Sequence, residues 1–173
     1  VEYWTKRADG IDAFLAAGKT MSGTPLTDAQ KTRLSEQVRV IREFVPKVPS
    51  LQVVPPDITL DARLTIYDGD REIQLLHVGL GNTQGDVAVY LPNENILAMG
   101  DLLVHPVPFA YGSSMREWVT TLKQYRDMKP AIIVPGHGPA MRDSSYLDTV
   151  IALFESLVTQ VDDAVKKGLT VKP

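Results

Sequence analysis

The chain has 173 residues, of which 44% are hydrophobic and 23% charged, with a formal net charge of −3. These proportions suit one domain with a real core and argue against a general nucleic-acid binder, which would normally show a basic face. Cysteine is absent, so disulfides and cysteine metal clusters are excluded, and no apolar run reaches the ~20 residues of a membrane-spanning helix.

Taken in order, residues Tyr3 to Ala17 read as a first helix. Trp4, Ile11, Phe14 and Leu15 lie near one face, and Gly18 serves as the stop. Thr27-Asp28-Ala29-Gln30 forms a capping box that opens an amphipathic helix to about Val45. Its stripe of Leu34, Val38, Ile41 and Val45 reads as core packing, and Pro46 and Pro49 are expected to end it. A hairpin follows, Leu60 to Tyr67 and Arg71 to His77, turned at Asp68-Gly69. Later, Ser114-Met115-Arg116-Glu117 is a second capping box, for a helix to about Arg126 with Met115, Trp118, Leu122 and Tyr125 inward. Asp143 or Ser144 caps a long final helix that carries Leu147, Val150, Ile151, Phe154, Leu157, Val158, Val161 and Val165 and ends at Gly168.

The densest pattern lies between Gln74 and Leu103. Two strand-like runs, Asp86 to Leu91 and Asn95 to Met99, flank Pro92-Asn93-Glu94, and the second is expected to stop at Gly100-Asp101. Ahead of them lies a glycine-rich loop, Gly79-Leu80-Gly81-Asn82-Thr83-Gln84-Gly85-Asp86. Further on, the run Ala131 to Val134 leads into a loop, Pro135-Gly136-His137-Gly138-Pro139. Strands that stop at glycine and then present one polar residue build a site on a sheet edge.

In these motifs, from about Gln52 to the last helix, the chain resembles the C-terminal part of the metallo-β-lactamase-fold hydrolases. That family pairs an αββα sandwich with a dinuclear zinc or other metal site at one sheet edge. Its pattern is H-x-H-x-D-H, then a histidine in G-H-T-x-G-D, an aspartate in G-D, and a histidine in P-G-H-G. Asp101 matches the G-D aspartate and His137 the P-G-H-G histidine, whereas Asn82 stands where the loop histidine belongs. No H-x-H-x-D-H run occurs in these residues. The resemblance implies an α/β fold, a partial metallo-β-lactamase-like αββα sandwich made of the C-terminal half sheet with flanking helices. Residues 1–48 are expected to form an N-terminal helical segment, and residues 49–173 the C-terminal half of the domain.

Each candidate carries two readings. Asp101 is a remnant metal ligand, or a cap that accepts loop amides. His137, held between glycines and prolines, is a remnant ligand, or a loop histidine bonded to a nearby carbonyl. Asn82 is a weak oxygen donor, and its plainer reading is a left-handed turn residue among glycines. Replacing it with histidine is expected to strengthen metal binding. Asp86 is read as fixing the loop by accepting backbone N–H groups. His77, at a strand end, and His105, just past Asp101, either line the site or sit at the surface. Phe109, Tyr111 and Trp118 are read as a pocket wall or as core.

In the family resembled, a metal lowers the pKa of bound water for attack on a carbonyl or phosphoryl centre. A catalytic zinc needs three protein ligands, and two family ligands are matched. Zinc binding by this chain is therefore expected to be weak or absent, and no catalytic residue is assigned. One expectation is the C-terminal part of a metal-dependent hydrolase acting on a small molecule with an ester- or amide-type bond. The other is a non-catalytic association module. Both predict a homodimer or a complex with the missing N-terminal segment, and neither involves nucleic acid or a membrane. On this resemblance the chain begins inside the parent domain, which leaves compartment open.

Overall fold

The computed structural model describes residues 1–20, 22–110 and 112–170. It divides into two compact units, Val1–Asp57 and Ile58–Pro173.

The first unit is a helical pair. Helix α1, Glu2–Ala17, stops where Gly18 turns left-handed at φ 66°, a conformation glycine adopts without a Cβ penalty. Helix α2, Asp28–Phe44, opens on the predicted capping box. The Thr27 side chain accepts the Gln30 N–H at 3.3 Å, and the Gln30 side chain accepts the Thr27 N–H at 2.9 Å. Between the helices Ala8, Val38 and Ile41 are buried, with Ile11 and Val45 packed beside them. Ala8 is 1% exposed in this contact, whereas Trp4, expected near the same face, is 41% exposed. The prolines do not stop the chain turning. Pro46 sits in the first turn of a 3-10 stretch, Val45–Ser50, and Pro49 lies inside it; a first-turn N–H has no helical partner to lose.

The second unit carries a five-stranded sheet. Strands β1 (Arg63–Asp68), β2 (Arg71–Leu76), β3 (Ala88–Leu91) and β4 (Ile96–Val104) form an antiparallel meander, and β5 (Ile132–His137) pairs with β4 in parallel. Gly69, at φ 59°, takes the first central position of the β1–β2 loop between the paired Asp68 and Arg71. Helices α3 (Met115–Asp127) and α4 (Ser145–Lys166) lie on one face of the sheet. There Leu76, Ala88, Leu97, Met99 and Ile133 meet Trp118, Leu122, Tyr125, Leu147 and Phe154, all of them 3% exposed or less. Each large side chain buried in this way contributes about 1.5–3 kcal/mol. The resulting architecture is a mixed α/β sheet flanked by helices, a partial metallo-β-lactamase-like fold.

Cross-strand registers define the other face. Leu64 pairs with Leu75, Leu75 with Val89, Val89 with Ala98, and Ala98 with Val134, so one apolar row crosses all five strands. Residues of this row are partly exposed, Val134 at 38%.

Three local expectations need correction. Strand β4 does not stop at Gly100-Asp101. Gly100, at φ 54°, bulges, the register with β5 shifts on either side of it, and pairing continues to Val104; a glycine bulge kinks a strand without ending it. Asp101 therefore lies within β4, and His137 is the last residue of β5 rather than part of the following loop. Ser114 is the N-cap of α3, but its side chain makes no cap hydrogen bond, so the second capping box does not form. At α4 the N-cap position is Ser144, whose side chain makes no cap hydrogen bond; the preceding Asp143 supplies the acceptor, its Oδ1 taking the Ser145 N–H at 2.9 Å and the Ser145 hydroxyl. Those donors hold its carboxyl below the usual range.

Candidate metal centre

Parallel pairing brings the C-terminal ends of β4 and β5 side by side, and the glycines around Asp101 and His137 let them close. At position 136 a Cβ would overlap Asp101 Oδ1 and lie 2.6 Å from the Gly100 carbonyl carbon. With that space free, His137 Nε2 stands 3.5 Å from Asp101 Oδ1. The side chains are 61% and 38% exposed, so the pair opens to solvent.

His105 supports this arrangement from behind. Its N–H donates to the His137 carbonyl at 3.1 Å. Its ring meets Tyr146 edge-on at 4.9 Å, and the Tyr146 hydroxyl donates to the Val104 carbonyl at 2.7 Å. Gly138, at φ 97°, passes so close that a Cβ there would lie 2.8 Å from His105 Cβ. On the other side Phe109 faces the His137 ring at 6.0 Å between centroids. Trp118 belongs to the core, its Nε1–H donating to the Leu102 carbonyl at 3.1 Å and its ring 4.8 Å from Phe154. Tyr111 lies outside the described residues.

The glycine-rich loop joins β2 to β3 at the same sheet edge. Gly81 packs closely against its neighbours: a Cβ there would overlap Leu102 Cδ2 and lie 2.8 Å from Asp86 Oδ2, so both side chains would have to shift. The loop thus packs onto the residue that follows Asp101. As predicted, the Asp86 carboxylate fixes it, accepting the Thr83 N–H at 2.5 Å. His77 Nδ1 lies 2.9 Å from the Asp86 carbonyl oxygen; that oxygen only accepts, so Nδ1 carries the proton. His77 therefore clasps the neck of the loop. Asn82 is 3% exposed, and the non-glycine residues with positive φ among those described are Asn95 and Lys129. The left-handed turn expected at Asn82 does not occur. The Gly81 N–H to Thr83 carbonyl bond, 3.1 Å, makes the turn instead, and Asn82 packs inward.

The donor spacing bears on what this edge can hold. A separation of 3.5 Å is long for a hydrogen bond. Two ligand atoms ~2.1 Å from one tetrahedral zinc would be separated by about 3.4 Å. Asp101 and His137 thus stand as two ligands of a common ion would. Among the described residues, no group of three or more His, Asp or Glu side chains could hold a metal. The residues fit two corners of a site and not a complete one.

A sequence model described as the metallo-beta-lactamase superfamily matches residues 8–137. The chain belongs to that superfamily. The match starts within α1, earlier than the motifs predicted, and ends at His137. Among solved structures, this superfamily member is similar to the metallo-beta-lactamase from Pontibacter korlensis, with 22% identity over 83% of this chain and 76% of that one, at a TM-score of 0.52. It is also similar to TMB-1, with 18% identity over 69% of this chain at a TM-score of 0.52, and it spans 55% of TMB-1. The inverting sec-alkylsulfatase Pisa1 from Pseudomonas sp. gives a TM-score of 0.55 at 17% identity over 68% of this chain, which spans 21% of that enzyme. These likenesses are of fold, and the family is generally metal-dependent.

Sequence reasoning missed Tyr146 and the Gly100 bulge. The apolar run Leu102-Leu103-Val104 was the signal that β4 continues; nothing local marks Tyr146 as the residue behind His105.

Proposed function

We propose that this chain supplies the C-terminal half of a metal-dependent hydrolase domain, with Asp101 and His137 as two of its zinc ligands. The 3.5 Å spacing of their donor atoms at an open sheet edge carries the reading. The remaining ligands come from an H-x-H-x-D-H segment outside these 173 residues, and without it the chain binds zinc weakly and is inactive. Its substrate is a small molecule with an ester- or amide-type bond. Zinc titration followed by the ring resonances of the three histidines tests this. His137 is expected to respond alone, and Asp101→Asn to abolish the response. A shift at His77 or His105 without His137, or an unaltered response in the variant, would sink the assignment.

A second reading, a scaffold that works by association, is favoured by the apolar row from Leu64 to Val134. Contiguous apolar surface of this kind is normally covered. On this reading a second copy or the missing segment covers it.

A further inference from the structure

We infer that Val107 and Phe109 form an apolar wall of the Asp101–His137 site, and that its substrate carries an uncharged hydrocarbon group beside the bond to be hydrolysed. The inference rests on the hydrolase reading above and adds the class of substrate.

The segment after β4 is stiff at its base. The His105 N–H is bonded to the His137 carbonyl, its ring is seated on Tyr146, and Gly138 presses against its Cβ. Pro106 and Pro108 fix two φ angles beyond it. What this stiff segment presents is apolar. Val107 is 69% exposed and Phe109 39%, with the Phe109 ring inclined at 65° to the His137 ring. A loop serving only as a connection would be expected to carry polar residues, and exposed apolar side chains on a rigid loop beside a polar site point to a ligand.

Charge narrows the class. From Leu102 to Met115 there is no Asp, Glu, Lys or Arg. The wall offers no cation to an anionic substituent such as a phosphate tail, and no carboxylate to an amine. The polar end of a substrate meets Asp101 and His137, and an aliphatic or aromatic group lies along Val107 and Phe109.

Butyrate and octanoate, simple analogues of a hydrolysis product, are the probes, titrated against the full chain by NMR of labelled Phe and His rings. A fully buried methylene gives roughly fourfold in affinity, so a half-open wall should give about twofold, or about 16-fold from butyrate to octanoate. Phe109→Ala and Val107→Ser should each reduce that preference, and the double variant should remove it. Zinc titration of His137 in the same samples reads the ligand pair separately. An unresponsive His137 overturns the hydrolase reading. Equal binding of the two carboxylates, or an unchanged preference in the double variant, overturns the wall.

Discussion

Gly136 and Asp101 occupy space that only a residue without a side chain can share: a Cβ at 136 would overlap the carboxylate oxygen that faces His137. The glycine in this motif therefore sets the distance between two strands as well as easing a turn. Gly136→Ala is expected to push β5 away from β4 and lower stability by about 1–3 kcal/mol, the usual cost of overpacking. Urea denaturation measures it. An alanine variant of wild-type stability would mean that the strands are not held this close.

Asn82→His now carries a different expectation from the one its motif suggests. At 3% exposure the side chain is enclosed and a larger imidazole would have to displace its neighbours, so the variant should lose about 1–3 kcal/mol and gain no zinc affinity. Calorimetric titration beside a denaturation curve checks both. Tighter zinc binding would show that the side chain can turn towards Asp101.

Tyr125 donates its hydroxyl to the Leu76 carbonyl at 2.8 Å, and burial pushes its pKa up to about 12. Tyr125→Phe leaves that carbonyl without the bond and should cost about 1–3 kcal/mol. A raised phenol pKa favours the protonated folded state. This contribution is complete below the unfolded pKa near 10 and is lost as pH rises through about 12. Wild-type stability should therefore fall between those pH values more than that of the phenylalanine variant. Parallel curves would show that the hydroxyl ionises freely.

The apolar row across the sheet gives an expectation about association. Light scattering should show a concentration-dependent dimer, and Leu75→Asp with Val89→Asp should return it to a monomer. A wild-type mass of 19.1 kDa at every concentration would remove self-association from consideration.

Local chemistry was the most legible part of the sequence. The Gly18 stop, the Thr27–Gln30 box and the Gly69 hairpin each depend on residues a few positions apart, and each forms. The meeting of Asp101 and His137 was legible only through motif resemblance, because nothing in the spacing of the two residues encodes a parallel strand pair. Elsewhere tertiary contacts decided. The Leu102–Val104 segment keeps pairing beyond a glycine that looks like an end. Ser114 has the right neighbours for a box and makes no cap bond. Asn82 looks like a surface turn residue and is enclosed. In each case a distant partner outweighed the preference of the local sequence.

The parallel pairing of β5 in an otherwise antiparallel sheet has a kinetic consequence. Strands β1 to β4 can zip together through short connections, whereas β5 reaches β4 only after the chain has crossed back through α3. Loop closure has to precede that contact. The two donor atoms would thus meet late in folding, after the meander exists. On transient opening they should be among the first groups to part, so the ability to grip an ion should vanish before the hairpins melt.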